Sequence, residues 1–455
     1  MKKIKELMPE AYDFNGKLSL KQAIPLGLQH VMAMFVGNLT PLLIITGACG
    51  IGAGSEYASI QVALLQNAMI IAGIVTLIQL FSVGPVGGKV PIIMGTSSGF
   101  IGVFSSITKV MGGGILAYGA IMGASIMGGL FETVLGAFIK PLRRFFPSVV
   151  TGTVVLSIGL SLISVGINSF GGGNGAKDFG SLENLFLAFV VLVVILFVKH
   201  WTKGYLSSSS ILIGIIVGYI VAIACGMVDF SGVAEAAWFS IPKPIFMIEG
   251  LSYSFRIEAI VPFLLVYLAT TVETIGDNTG IAVGGLGRDI TDDELEGAVH
   301  ADGFGSVVAT LFGVMPNTSF SQNVGLVAMT KIVNRFVLMT GAVFLMLCAF
   351  IPKLGAIVAS IPNCVLGGAV LLMFAMISII GLNLLTEEGK ISERTGLIVA
   401  ASCAVGLGLS NCPEVMQHLP SWFQSMFGQA IVGGFVTATI LNLILPKDIL
   451  EKENN

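Results

Sequence analysis

Met315-Pro-Asn-Thr-Ser-Phe-Ser-Gln-Asn-Val-Gly325 is a polar, proline-bearing break in an otherwise apolar stretch, 315–332. A second break, Met94-Gly-Thr-Ser-Ser-Gly-Phe100, interrupts the apolar stretch 90–108. The sequence around both breaks is built for lipid. Of 455 residues, 55% are hydrophobic and only 11% charged, and the mean hydropathy is +0.92. A typical soluble protein is about 25% charged. The composition excludes a water-soluble globular enzyme and any disordered or fibrous class. A net charge of −3 leaves no basic field for nucleic acid. The six cysteines have no Cys-x-x-Cys spacing and read as small buried residues, not zinc ligands or disulfides. In lipid, backbone groups released by a break need partners, so breaks persist only where they are buried in protein or line a cavity.

Outward from the breaks, a spanning helix needs about 20 apolar residues. Long apolar runs lie near 23–47, 62–83, 113–139, 148–168, 185–199, 210–228, 259–281, 336–351, 354–382, 395–411 and 427–445. The interrupted stretches 90–108, 301–314 and 315–332 bring the expectation to fourteen spans. The first run follows a lysine-bearing segment without a cleavage-site pattern, so it reads as a retained span. With the N-terminus inside, only Lys109, Lys177, Lys243, Arg256 and Lys353 fall outside, and the other 18 of the 23 basic residues fall inside. That asymmetry is the positive-inside pattern.

Phe146-Pro-x-x-Val150-x-Gly152 recurs as Ile361-Pro-x-x-Val365-x-Gly367, 215 residues on. Each precedes the fifth span of a set of seven, and each break sits in the third. Seven is odd, so the two halves run oppositely: an inverted repeat, with the paired breaks pointing to a central binding site. The alternative is that Pro-x-x-Val-x-Gly is merely a common helix start.

Few polar groups remain in the spans. Glu273 lies mid-span, where a charge costs roughly 2.5–3.5 kcal/mol on insertion scales. Asp277 is one turn on, sharing its face or facing the cytoplasmic rim. Asp302 opens the ninth span, as a site acid or as a helix cap. His30 sits in the first span, as a site residue or a packing residue, and Gln322 and Asn323 sit in the second break. Glu132 reads as an interhelical hydrogen-bonder. No Lys or Arg lies deep enough to neutralise these acids, so at least one stays protonated or exchanges a proton. Gln322 offers a donor and an acceptor side by side, which suits a planar heterocycle with N–H and C=O edges, among other small polar solutes.

Ala301-Asp-Gly-Phe-Gly-Ser-Val-Val-Ala-Thr-Leu-Phe312, followed by Gln322-Asn-x-Gly325-x-x-x-x-Thr330, resembles the signature of the nucleobase–ascorbate transporters, the nucleobase:cation symporters that include xanthine and uracil permeases. Leu28-Gln-His30 and the Glu273–Asp277 stretch match as well, and the resemblance covers nearly the whole chain. It implies an all-α polytopic membrane protein with fourteen spans as a seven-plus-seven inverted repeat, and short antiparallel strands in spans 3 and 10. The core domain would comprise 1–146 and 253–352, and the gate domain 147–252 and 353–455. Members tend to form homodimers through the gate domains.

By the same resemblance, Glu273 and Gln322 hold the base, and Ser321 and the span 3 segment at Ser97 complete the site. Asp302, His30, Asp277 and Asn323 support it or couple the proton. Family members often carry an aromatic residue where this chain has Ser98, so stacking would come from Phe100 or be weaker. Uracil permeases usually have Glu at the Gln322 position, so the Gln-Asn form implies an oxidised purine, xanthine or urate. The expectation is a purine importer in the plasma membrane with both termini cytoplasmic. It uses no cofactor, no metal and no catalytic residue, and a proton, or else sodium, drives it. The rivals are a uracil permease, an anion exchanger or channel of a related fold, and an intramembrane enzyme. The last lacks His-Glu-x-x-His, and Ile275-Gly276-Asp277 lacks the earlier glycine of a Gly-x-Gly-Asp pattern.

Overall fold

A computed structural model describes residues 9–446, apart from 53–54, 143–144, 174–175, 387–390, 421–422 and 425–426. Of the basic residues assigned to the inside, Lys2, Lys3, Lys5, Arg143, Arg144, Lys390, Lys447 and Lys452 lie outside the described residues. The chain is mainly helical. In order come α1 (Leu20–Ala48), α2 (Ala58–Phe81), β1 (Met94–Thr96), α3 (Ile101–Met111), α4 (Gly114–Ala137), α5 (Ser148–Phe170), α6 (Leu182–Trp201) and α7 (Ser210–Ala224). Then come α8 (Ile257–Ile281), α9 (Asp292–Leu311), β2 (Asn317–Ser319), α10 (Ser321–Thr330), α11 (Arg335–Cys348), α12 (Asn363–Thr386), α13 (Glu393–Asn411) and α14 (Ala430–Ile444).

Among the described residues, seven helices are long and apolar enough to cross a membrane: α1, α2, α4, α5, α6, α8 with the turn that follows it, and α12. α11 and the short helix Pro352–Ala359 form a pair bent by 86° at their junction. The other elements fall short for visible reasons. α3 and α10 are half-helices of 11 and 10 residues. Each rises about 15–17 Å, half of a hydrocarbon layer of about 30 Å. α9 carries Asp292, Asp293 and Glu294 in its first turn.

Both expected breaks are extended. β1 and β2 pair antiparallel, Met94 opposite Ser319, Gly95 opposite Thr318 and Thr96 opposite Asn317. Backbone groups of both strands are met by neighbouring helices, while both amide atoms of the buried Asn317 side chain stay open. Asn38 Oδ1 in α1 accepts from Thr96 N at 2.8 Å, and Thr76 Oγ1 in α2 accepts from Met94 N at 2.9 Å. Ser306 Oγ in α9 accepts from Asn317 N at 3.1 Å and donates to Asn317 O at 3.3 Å. The two strands thus satisfy each other in the interior, which is what lets a non-helical segment lie there.

α5 and α12 start at Ser148 and Asn363, 215 residues apart, and pack along their lengths. Small residues set that approach: a Cβ built on Gly159 would stand 2.4 Å from Ser378 N. One expected boundary is corrected. α9 does not open at Asp302. A capping box at Thr291 and Glu294 starts the helix ten residues earlier. Asp302 therefore lies mid-helix, wholly buried, and is not a helix cap.

Candidate functional site

The site forms where the two half-helices begin. Ser97 caps the turn leading into α3, its Oγ accepting from Gly99 N at 3.3 Å. Ser321 and Gln322 open α10, directly after β2. Helix starts leave backbone N–H groups without internal partners and carry a partial positive charge. α8 runs past both starts and brings Glu273 and Asp277. α9 brings Asp302, and α1 brings His30.

These groups are joined by hydroxyls. Ser321 Oγ lies 3.0 Å from Glu273 Oε1 and 2.8 Å from Asp277 Oδ2. Ser319 Oγ donates to the same Asp277 oxygen at 3.0 Å. Asp302 Oδ2 accepts from Thr274 Oγ1 and, at 3.3 Å, from Ser319 N. His30 Nδ1 lies 2.7 Å from Asn323 Oδ1, so with the amide in this orientation Nδ1 carries the hydrogen. A serine hydroxyl has one proton, so Ser321 bonds both carboxyls only if one of them also carries a proton.

Several polar atoms are left open. Glu273 is 7% exposed, and its Oε2 has no partner among the described residues. A Cβ built on Gly99 would lie 3.6 Å from that oxygen, so backbone of the first break approaches it closely. Asp277 Oδ1, Asp302 Oδ1 and Asn323 Nδ2 are likewise buried and unpartnered. The side chain of Gln322 is half-buried and, among the described residues, makes no hydrogen bond. Ser98 is also half-buried. The arrangement therefore presents an open amide, an open carboxylate oxygen and two helix starts. No Lys or Arg pairs with any of these acids among the described residues.

A permease family, that of the xanthine and uracil permeases, has a family model that matches residues 21–415. The chain belongs to this family. It is a transporter and not an enzyme. The uric acid permease PucK of Bacillus subtilis is 35% identical over 421 residues, 92% of this chain and 95% of that one. The xanthine permease XanQ of Escherichia coli is 36% identical over 447 residues, 96% of this chain and 93% of that one. Among solved structures, the transmembrane domain of a cyanobacterium bicarbonate transporter, BicA, aligns with a TM-score of 0.56 at 15% identity. That alignment covers 93% of this chain and 97% of BicA, and it concerns the fold alone.

In the permease, Glu273, Gln322, Ser321, Ser97 and Ser98 come together at the half-helix starts, with Asp277, Asp302, His30 and Asn323 around them. Asp277 is 1% exposed, so it shares the buried face of Glu273 and does not face the rim. Phe100 is not at the open face. Its ring is fully enclosed, 4.6 Å from Tyr267, 5.7 Å from Phe263 and 5.9 Å from Phe104 by ring centroids. The sequence reading missed Asn38, Thr76, Ser306, Thr274 and Ser319, which hold the strands and the acids. Each is a small neutral polar residue, and the packing that gives it a partner is not visible in the chain.

Proposed function

We propose that this permease imports an oxidised purine, xanthine or urate, by proton symport with alternating access. The observation that carries this reading is that the residue next to Gln322, Ser321, bonds Glu273 at 3.0 Å, while the Gln322 amide makes no hydrogen bond among the described residues and Glu273 Oε2 is open. An amide and a carboxylate set close together complement a ring edge that alternates N–H and C=O groups. Two relatives are named for uric acid and xanthine, which fits that edge. Uracil and anions are less well matched. Gln322 stands where uracil carriers usually have Glu, and an anion site would want a positive centre in place of clustered acids.

The proton follows from the electrostatics. Several buried carboxyls without a cation are costly to move unless they are neutralised. Proton and purine binding from outside would satisfy the open atoms together and favour the inward state by differential affinity. The architecture we assign is fourteen spans in two inverted halves of seven, with β1–α3 and β2–α10 as their third members. It is supported by the antiparallel strand pair and the 215-residue offset of α5 and α12. The core domain would be 1–146 with 253–352, and the gate 147–252 with 353–455. The permease would sit in the plasma membrane with both termini cytoplasmic and dimerise through its gate domains. A cavity of about 1220 Å3, lined by Gln61, Asp229, Ser360 and Asn363 at the C-terminal end of α1, fits an outer vestibule between core and gate.

The test is uptake of radiolabelled xanthine into proteoliposomes, competed by urate, uracil, guanine and hypoxanthine at two pH values, with an ionophore control. Competition by urate and collapse of accumulation with the ionophore are expected. Competition by uracil alone, or accumulation indifferent to the pH gradient, overturns the reading.

A further inference from the structure

Glu132, in α4, stands outside the groups assigned above and is 0% exposed. α4 and α9 cross on glycine: a Cβ built on Gly303 would stand 2.3 Å from Thr133 N and 2.8 Å from Gly129 O. That contact brings the neighbours of those residues, Glu132 and Asp302, to the same crossing. Glu132 Oε2 has no partner among the described residues.

Its other oxygen carries the argument. Thr271 Oγ1 lies 2.9 Å from Glu132 Oε1 and 2.8 Å from Tyr267 O. The Tyr267 carbonyl can only accept, and a threonine hydroxyl has one proton to give. Both hydrogen bonds are complete when Glu132 itself carries a proton and donates to Thr271. A purely structural bridge between α4 and α8 needs no carboxyl. A glutamine there would donate or accept without risking a buried charge. The titratable groups nearest Glu132 are Asp302 from α9 and Tyr267 and Glu273 from α8. His300 stacks one turn along against Gly136.

We propose that Glu132 is a second proton-carrying carboxyl of the transport site, positioned behind Asp302 and sharing the coupled proton with it. This rests on the proton-symport reading above. The sign of its effect follows from charge. In the proton-free state, where Glu132 is ionised, it makes the remaining acids hold a proton more tightly, and E132Q removes that influence. Half-maximal purine uptake in E132Q should therefore move to more acidic external pH by about one unit, a tenfold change in proton affinity.

The experiment measures xanthine uptake against external pH in proteoliposomes of wild type, E132Q and E132D, with folding judged by purine-induced protection against heat. E132D keeps the carboxyl and should stay nearer the wild-type profile than E132Q. A folded E132Q with an unshifted profile overturns the proposal. If E132Q does not fold, T271V, which removes the bridging hydroxyl, replaces it. A shift in T271V supports the proposal, and an unshifted profile overturns it. A wild type whose uptake ignores the pH gradient instead sinks the symport reading itself, so the two failures are distinguishable.

Discussion

The Ser321 hydroxyl sits between two carboxyls, Glu273 and Asp277, and can donate to only one. That single atom ties Glu273 to Asp277. The open Oε2 of Glu273 is the acceptor we assign to the purine, while Oε1 is held by Ser321. Glu273→Gln preserves size and one acceptor but removes the exchangeable proton and puts an N–H₂ beside either Ser321 or the substrate. Uptake should fall to background while protein abundance in the membrane stays near wild type. Retained proton-driven accumulation of xanthine in that variant would remove Glu273 from the mechanism. The residue scale is also where the sequence was most readable. A carboxylate mid-span is expensive in lipid whatever the fold, so Glu273 and Asp277 stood out before any partner was known, and Gln322 stood out as an amide in a polar break. Phe100 stood out wrongly, because an aromatic next to a polar break looks the same whether its ring faces a ligand or Tyr267 and Phe263.

At the scale of elements, the breaks were legible but their internal order was not. Pro316 and the Ser, Thr and Asn residues around it announce a non-helical segment. Nothing in the chain announces that Thr96 pairs with Asn317, because strands of three residues have no periodicity to read. The start of α9 was misread for the opposite reason. Its first turn is strongly acidic, which looks like a loop until Thr291 and Glu294 are seen to form a capping box. The strands depend on single donors and acceptors from the surrounding helices. Asn38→Ala would strip the acceptor from Thr96 N, leaving a buried N–H unsatisfied at a cost of about 1–3 kcal/mol. The expected result is lower thermal stability together with weaker purine binding, since β1 leads directly into the Ser97 turn. A variant that loses stability but binds xanthine as tightly as wild type would show that β1 does not position the site.

For the whole molecule, the decisive matter is whether α8 moves against α5. The proposed division places α8 in the core and α5 in the gate, so every cycle should change the distance between them. A Cβ built on Gly276 in α8 would lie 3.7 Å from Thr151 Cβ in α5. That is close to the Cβ–Cβ separation of about 3.8 Å typical of disulfides. The nearest obstacle to that Cβ is a terminal methyl of Leu384 at 3.2 Å, which can give way. In a background whose six native cysteines are replaced, G276C with T151C should cross-link on mild oxidation and lock this conformation. Xanthine uptake should then stop and return on reduction, while each single cysteine variant ignores the oxidant. Binding of xanthine to the locked protein should persist if this conformation is one that holds substrate. Full cross-linking with undiminished uptake would mean that α8 and α5 travel together, and the core–gate boundary would have to be drawn elsewhere.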